Sequence, residues 1–340
     1  MTSSVHAMKA MLLAAGFGTR LFPLTLDRPK PALPVLGQPL IAHGVAYLAR
    51  FGCRELVVNL HYRGEAIQSA LGDGSPFGCR ITYSHEEGAI LGTGGALDHA
   101  KALLNPTETF VVMNGKLLTD INLEAARATH RNHRALATLI LKPNLRRERF
   151  SVVQVDEGGA IRRFAPPPSD AGSSVPVWEA PPLFFTGIQL LEPEIFDYIP
   201  PGVFSHTTTD VYPRAIADGQ RVMAHVAAPD EAWYEFSTLE RYLDLSCRLA
   251  GDERAVIRGA ACQVASDASL ARTILWNRVR VGAKVVLREV IVGDGVNLPD
   301  GATLSRSAVV RADGIDPPAL DALVAEGKGK LVGENFIVHF

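Results

Sequence analysis

The first half of the chain alternates short apolar runs with segments that carry apolar residues at helical spacing. The apolar runs predict buried strands, and the amphipathic segments between them predict helices. The predicted strands cover 9–16, 55–60, 80–86, 109–115, 135–141 and 184–191, and the predicted helices cover 39–52, 63–74, 93–104, 123–133 and 234–252. This alternation predicts an α/β fold with right-handed βαβ units, in which a Rossmann-like, mostly parallel sheet carries helices on both faces.

The pattern changes after about residue 255, where aliphatic residues recur every six positions. Four of them share one register: Val292, Leu298, Leu304 and Val310. Two more keep the spacing one residue out of step: Val281 and Leu287. A six-residue period predicts a short C-terminal left-handed parallel β-helix, with a few short antiparallel strands as the alternative.

Two domains are therefore expected. Residues 1–250 would form a nucleotide-binding α/β domain, and residues 251–340 a hexapeptide-repeat β-helix with a C-terminal tail. The proline- and serine-rich stretch 166–182 predicts a loop or insertion within the first domain.

Composition limits the classes of partner. The 340 residues are 47% hydrophobic and 21% charged, and the net charge of −2 gives no global reason to expect nucleic acid or an anionic membrane surface. The four cysteines are scattered, which favours free thiols in a reducing compartment over a zinc site. No apolar run approaches the ~18 residues that a membrane helix needs. A cytoplasmic protein without nucleic-acid or membrane partners is expected.

The first predicted strand leads into LLAAGFGTRLFPLTLDRPKPALPV at 12–35. Gly16 and Gly18 remove side chains where backbone N–H groups could approach an anion, and Arg20 supplies a planar charged donor. Lys30 stands between two prolines on a stiff segment. The sequence therefore predicts a local anion site at the carboxyl end of this strand.

Residues 12–35 resemble the signature of the sugar-1-phosphate nucleotidyltransferases (NDP-sugar pyrophosphorylases), roughly L-x-A/G-G-x-G-T-R-L-x-P-L-T followed by P-K-P-x-x-P-V. Residues 85–97, HEEGAILGTGGAL, resemble the base-reading segment of that family. The predicted β-helix is similar to that of its mannose- and glucose-1-phosphate branch. The resemblance implies transfer of a nucleotidyl group from a nucleoside triphosphate to a sugar-1-phosphate, most like the mannose-1-phosphate or heptose-1-phosphate guanylyltransferase type.

The resemblance also implies which residues bind the nucleotide. It assigns Arg20 and the backbone around Gly16–Thr19 to the triphosphate, and Lys30 to the reacting centre. The full nucleotide-binding set is Leu13, Ala14, Ala15, Gly16, Gly18, Thr19, Arg20, Glu86, Glu87, Gly92 and Thr93. A carboxylate at Glu86 or Glu87 could accept from both N1–H and the amino group of guanine, which favours GTP and leaves uracil and thymine open.

The family pattern breaks where it normally binds Mg²⁺. The family's strand ends in an aspartate that holds the ion, whereas here Asn114 and Gly115 lead to Lys116, which cannot ligate Mg²⁺ while protonated. The second metal aspartate normally follows a tryptophan, and WYEFST offers Glu235 there. The lysine of the family's E-K-P motif is missing. Arg162 or Arg163 could replace it, and the alternative is that both are exposed strand residues.

These departures leave two accounts open. Lys116 replaces part of the metal's role in an active enzyme, with Arg20 and Lys30 as the other catalytic residues. Alternatively, the chain is a catalytically impaired regulatory or partner subunit that binds a nucleotide sugar. The expected sugar-phosphate residues are Asn114, Gly115, Arg163, Thr186 and Gly187. Mg²⁺ is the one expected cofactor, with Glu235 as its candidate ligand, and the β-helix is an expected surface for homo-oligomer formation.

Overall fold

The computed structural model describes residues 8–146, 148–166 and 181–340. Most of the predicted loop at 166–182 lies outside these residues. No helix among them has the length and apolar character needed to cross a membrane.

The strands and helices of the described residues follow one another closely along the chain. The first strands are β1 (Met8–Leu13), β2 (Pro34–Val35), β3 (Gln38–Pro39), β4 (Cys53–Leu60), β5 (Arg80–His85), β6 (Phe110–Asn114), β7 (Leu117–Thr119), β8 (Ala137–Pro143), β9 (Val152–Val155), β10 (Ile161–Ala165), β11 (Leu183–Leu191), β12 (Val222–Val226) and β13 (Trp233–Glu235). The later strands are β14 (Val256–Arg258), β15 (Gln263–Val264), β16 (Ser269–Leu275), β17 (Arg280–Val281), β18 (Val286–Val292), β19 (Asn297–Leu298), β20 (Thr303–Arg311), β21 (Lys330–Val332) and β22 (Asn335–His339). The α-helices are α1 (Leu40–Arg50), α2 (Gly64–Leu71), α3 (Gly92–Leu104), α4 (Leu123–His133), α5 (Tyr212–Ala217), α6 (Leu239–Leu249) and α7 (Pro317–Ala325).

The chain divides into two compact units that exchange segments along the sequence. The first unit takes in the described residues of 1–16, 41–64 and 71–233, and the second takes in 17–40, 65–70 and 234–340. The loop after β1 therefore groups with the C-terminal third of the chain.

The first unit contains a sheet with nine strands among the described residues, in the order β10-β9-β11-β6-β1-β4-β5, with β8 pairing β11 and β12. β6, β1, β4 and β5 are mutually parallel, and β12 is parallel to β8. β11 runs antiparallel to β6, β8 and β9. The predicted α/β class with a mostly parallel sheet is confirmed.

One apolar core joins this sheet to its helices. Met11, Val112 and Leu139 from the sheet are buried with Leu97 of α3 and Tyr212 of α5. Burying a side chain of this size stabilises the fold by about 1.5–3 kcal/mol, so the core holds the strand ends at fixed positions.

In the second unit, parallel strands follow one another at a constant offset. Val264 pairs with Val281, which pairs with Leu298, and each step is seventeen residues. The sheet β14-β16-β18-β20 keeps the same offset and is then continued by β22 and β21 in antiparallel orientation. The sheet is therefore mixed, and its aliphatic side chains form a separate core.

Two details differ from the sequence expectations. The helix predicted over 234–252 begins at Leu239, because Trp233–Glu235 is a strand and the Thr238 hydroxyl accepts from the backbone N–H of Arg241 at 3.2 Å. The short strands β9 and β10 were not predicted, since neither has a long apolar run.

Candidate active site

Leu13, at the end of β1, is the centre of the predicted site in the first unit. It pairs with Asn59 of β4 on one side and Asn114 of β6 on the other. The Gly115 N–H donates to the Leu13 carbonyl at 2.9 Å. A Cβ on Gly115 would lie 3.1 Å from that oxygen, so glycine lets β6 turn away beside β1.

The two alanines that follow are buried, in keeping with the small side chains that the resemblance implies there. Ala14 donates its N–H to Oδ1 of Asn59 at 2.7 Å. Nδ2 of Asn59 donates to Oε1 of Glu86 at 2.6 Å, and the Leu91 N–H donates to Oε2 of Glu86 at 2.8 Å. Both Glu86 oxygens are therefore used inside the protein, and the side chain is 5% exposed. Glu87 is exposed.

Asn59 bonds to two of the expected site residues, Ala14 and Glu86, but was not among the residues that the sequence placed there. It lies at the end of a buried strand and is itself 3% exposed. Its amide connects the segment after β1 with the segment before α3. A buried polar residue at the end of an apolar strand was the available signal.

The segment 203–207 packs against the start of α3. Gly94 donates its N–H to the Ser205 carbonyl at 2.8 Å, and the Thr207 N–H donates to the Thr93 hydroxyl at 2.9 Å. A Cβ on Gly92, whose φ is +74°, would meet the Ser205 carbonyl at 2.4 Å. The glycines of this segment are thus required by close backbone packing.

The expected sugar-phosphate residues are partly brought together. Gly187 has φ +85°, and a Cβ there would lie 2.2 Å from Nδ2 of Asn114. Thr186 is buried and donates its hydroxyl to the Ile140 carbonyl at 2.7 Å, while its backbone carbonyl accepts from Nε1 of Trp233 at 3.0 Å. Asn114, Gly115, Thr186 and Gly187 therefore lie around the end of β6.

Arg163 lies elsewhere in the same sheet. It is exposed on β10, an edge strand, and pairs with Gln154 of β9. β9 and β11 separate its strand from β6 in the sheet order. Its neighbour Arg162 pairs with Asp156 at 2.5 Å. The structure does not bring either arginine to Asn114.

The cations of the glycine loop belong to the second unit. Gly18 has φ +69°, and a Cβ there would lie 3.0 Å from Cβ of Lys30 and 3.1 Å from a methyl group of Thr25. Lys30 is 8% exposed, whereas Thr19 and Arg20 are exposed. The loop thus folds back so that Lys30 packs against Gly18.

The residues at the expected metal positions do not form a pair of carboxylates. The end of β6 offers the amide of Asn114 and the ammonium of Lys116, and neither is a preferred ligand for Mg²⁺. Asp120 uses Oδ1 to accept from the Ala232 N–H at 2.6 Å. In the second unit Glu235 is a buried carboxylate. No group of three or more His, Cys, Asp or Glu side chains suited to a metal ion occurs among the residues described.

Comparison with known proteins places this architecture. The nucleotidyl transferase family model matches residues 9–251. A crystal structure from Bacillus anthracis, assigned as a glucose-1-phosphate thymidylyltransferase, superposes with a TM-score of 0.60 at 24% identity, over 72% of this chain and 96% of that one. At that identity the superposition speaks for the fold alone.

Several characterised relatives share part of the sequence. A UTP–glucose-1-phosphate uridylyltransferase from Synechocystis is 36% identical over 62% of this chain and 56% of its own length. An N-acetylmuramate alpha-1-phosphate uridylyltransferase from Neisseria meningitidis is 47% identical over 35% of this chain and 51% of its own. The chain thus spans about half the length of these two relatives.

A longer match comes from Mycobacterium tuberculosis. Its mannose-1-phosphate guanylyltransferase is 29% identical over 89% of this chain and 84% of its own length. Because the family model covers most of the α/β region, the family expected from residues 12–35 is confirmed. The chain belongs to the nucleotidyl transferase family.

Proposed function

We propose that this chain transfers a nucleotidyl group from a nucleoside triphosphate to a sugar-1-phosphate. A phosphate oxygen of the sugar attacks the α-phosphorus, the bond from that phosphorus to the bridging oxygen breaks, and pyrophosphate leaves with that oxygen. The protein needs no covalent intermediate, so its task is to position two anions that repel each other and to stabilise the developing charge. The intact signature at 12–35, inside the region that matches the family, carries this proposal.

The residues divide the task between them. Arg20 and the backbone of Gly16, Gly18 and Thr19 would bind the triphosphate, and Lys30 would stabilise the charge that develops at the α-phosphate. Ala14 and Ala15 would contact the base or ribose. Asn114 and its neighbours Gly115, Thr186 and Gly187 would form the sugar-phosphate side. Arg163 is left out of this set, because its edge strand is separated from β6 by β9 and β11.

GTP is the favoured nucleotide. Guanine presents N1–H and an amino group to a carboxylate, whereas uracil and thymine present one ring N–H. Glu87 is exposed, and both oxygens of Glu86 accept from Asn59 and Leu91, so Glu87 is the better acceptor for the base. Relatives named for UTP and for GTP both occur, so the choice of base depends on experiment.

In this proposal Mg²⁺ enters as part of the substrate, bound to the triphosphate. Lys116 takes the position of a metal carboxylate and would place a fixed ammonium against the phosphates instead. Glu235 is the carboxylate that would hold the ion. The dependence on Mg²⁺ is therefore expected to be weak.

The same lysine favours a second candidate function. If its ammonium cannot replace the lost carboxylate, the chain would bind a nucleotide or nucleotide sugar without turnover and act as a regulatory or partner subunit. The two functions share the nucleotide site and differ in chemistry.

The proposal also includes a domain boundary near residue 250. The family match ends at residue 251, which supports a catalytic domain over 1–250. The constant seventeen-residue offset of the parallel strands after it supports a short left-handed β-helix, which would serve homo-oligomer formation. A cytoplasmic location stays a prediction.

Turnover decides between the candidates. The full chain is incubated with GTP, UTP or dTTP and mannose-, glucose- or heptose-1-phosphate, with Mg²⁺ or with a chelator, and pyrophosphate release is measured. Release with at least one pair supports the enzyme. Binding of a nucleotide or nucleotide sugar by calorimetry without release under any condition supports the second function, and absence of both contradicts the two.

A further inference from the structure

The loop that carries Arg20 and Lys30 is anchored to the C-terminal third of the chain, which belongs to the same unit. The polar anchor is Arg28, whose Nη2 lies 2.6 Å from Oδ2 of Asp294. Oδ1 of Asp294 accepts from the Asn277 N–H at 2.8 Å, so the carboxylate is already oriented. The guanidinium also lies over the ring of Trp276, with Cζ 4.5 Å from the ring centroid. Both partners of the ion pair are mostly buried, at 20% and 17% exposure.

Such an anchor differs from a typical surface ion pair. Surface pairs hold two mobile side chains and add little stability. Here the carboxylate is fixed by a backbone donor, and the cation has an aromatic ring on one face. Arg28 is thus held by Asp294 and Trp276, which are themselves fixed, in addition to the more exposed carboxylate of its neighbour Asp27 at 2.9 Å.

A second anchor, which is apolar, lies before Arg28 in the sequence. The rings of Phe22 and Phe336 meet edge-on, with centroids 5.9 Å apart. Phe22 and Leu26 both pack against a small core formed by Ala312, Ile315 and Phe336. These contacts fix the segment between Arg20 and Arg28.

A third anchor holds the end of the loop. The Tyr242 hydroxyl donates to the Pro34 carbonyl at 2.5 Å and accepts from Nε1 of Trp276 at 3.1 Å. Tyr242 is fully buried and Trp276 is 2% exposed. Trp276 therefore contributes to two anchors, one on each side of Lys30.

We propose that Arg28 is a positioning residue for triphosphate binding, and that Asp294 and Trp276 hold it in place. Lys30 is two residues from Arg28 and Arg20 precedes Phe22, so both cations stand on a segment ordered by the C-terminal strands. A loop that is ordered before the ligand arrives avoids the entropy cost of ordering it on binding. The sequence pattern predicts a packing or assembly role for these strands. We infer from the contacts above that they also support the loop that carries Arg20 and Lys30.

This inference rests on the proposed nucleotide site, so its test begins with the unmodified full chain. Binding of GTP and UTP is measured by calorimetry, and KM for the triphosphate and for the sugar phosphate are measured separately. The variants are Arg28→Ala, Arg28→Lys, Asp294→Asn and Trp276→Leu. Arg306→Ala is the matched control, because Arg306 pairs with Glu289 at 3.5 Å within the same strands and contacts no loop anchor described above.

We expect Arg28→Ala and Asp294→Asn to weaken triphosphate binding about tenfold, a coupling of about 1.4 kcal/mol, with less than a twofold change in KM for the sugar phosphate. Arg28→Lys should retain part of the affinity, and limited proteolysis should cut the loop faster in the weakened variants. The double variant of Arg28 and Asp294 should be no weaker than the worse single variant. Asp294→Asn keeps its size and its acceptor for Asn277, so it decides the question even if Arg28→Ala fails to fold.

Two results would overturn the inference, and they are distinguishable. If the unmodified chain binds triphosphate and the Arg28 and Asp294 variants match Arg306→Ala, the anchors do not position the loop and the proposed function stands. If the unmodified chain binds no triphosphate, the proposed function fails and the inference fails with it.

Discussion

Gly187 lies directly against the side-chain amide of Asn114. A Cβ at Gly187 would come within 2.2 Å of Nδ2, and the φ of +85° already disfavours any side chain. The amide and the backbone of β11 therefore occupy fixed positions at the end of β6. The arrangement fixes Asn114 beside the turn that leads to Lys116.

Gly187→Ala should destabilise the fold beyond the backbone strain of about 1–2 kcal/mol, because Asn114 must also move. Gly219→Ala is the matched control, since Gly219 has φ +76° and no heavy atom within 4 Å of its would-be Cβ. Urea unfolding of the two variants measures the difference. Equal losses of stability would show that Asn114 shifts freely.

Replacement of Glu86 should break the link between Asn59 and Leu91. In Glu86→Gln one oxygen becomes an amide nitrogen, so one of the two buried donors loses its acceptor, at about 1–3 kcal/mol. We expect lower stability and weaker nucleotide binding. Glu87→Gln should leave the unfolding midpoint unchanged, because Glu87 is exposed. Thermal unfolding of both variants is the measurement. An unchanged midpoint for Glu86→Gln would contradict the view that Glu86 links Asn59 and Leu91 inside the protein.

Arg20→Ala should weaken triphosphate binding by about 1.5–3 kcal/mol, the usual effect of losing a hydrogen bond to a charged group. Arg20 is exposed, so the stability of the fold should not change. Arg131→Ala, in an exposed position on α4, controls for the loss of one positive charge. Calorimetry gives the affinities, and equal affinity in the two variants would remove Arg20 from the site.

Lys116 separates the two candidate functions. In an active enzyme, Lys116→Ala should abolish a turnover that depends little on Mg²⁺. In a binding subunit, the unmodified chain should be inactive at every Mg²⁺ concentration, and Lys116→Asp with Glu235→Asp should introduce metal-dependent turnover. The readout is pyrophosphate release against Mg²⁺ concentration. Strong Mg²⁺ dependence of the unmodified chain would rule out the idea that the ammonium replaces metal charge.

Acid should weaken the core through Glu192. The hydrogen bond from His130, at 2.8 Å, holds the pKa of this carboxyl below its usual 4.5. A carboxyl with a lowered pKa in the folded state stabilises the protein above its unfolded pKa, and this stabilisation is lost as the pH falls below about 4.5. Melting temperatures between pH 6 and pH 3 should therefore fall less steeply for Glu192→Gln than for the exposed control Glu194→Gln. Parallel curves for the two variants would contradict the linkage.

The sequence predicted the strands and helices better than the contacts that their side chains make. Periodicity located β1, β6 and α4 because the spacing of apolar residues that marks a buried strand or an amphipathic helix involves only sequence neighbours. It did not reveal that the His130 ring is 2% exposed and contacts Thr138 and Glu192. Those partners are distant in sequence, so no local pattern could reveal them.

At the candidate site, too, local features could be predicted from the sequence and contacts between distant residues could not. The family signature at 12–35 was recognised from its own residues, whereas the anchors of this loop at Asp294 and Trp276 are contacts across most of the chain length. Asn122 caps α4 by accepting from the N–H groups of Glu124 and Ala125, and the sequence pattern did not identify this cap.

The seventeen-residue offset explains why the aliphatic pattern after residue 255 slips by one position. Val281 to Leu287 and Val292 to Leu298 are six residues apart, while Leu287 to Val292 is a shorter step. Asn277 and Asp294, one offset apart, each accept from a backbone N–H seventeen residues earlier in the chain. Inserting a single residue would shift the aliphatic side chains that follow out of register, whereas inserting a whole seventeen-residue segment would preserve the register. Length variation in this part of the chain among its relatives should therefore come in steps of about seventeen residues, the offset of the paired strands.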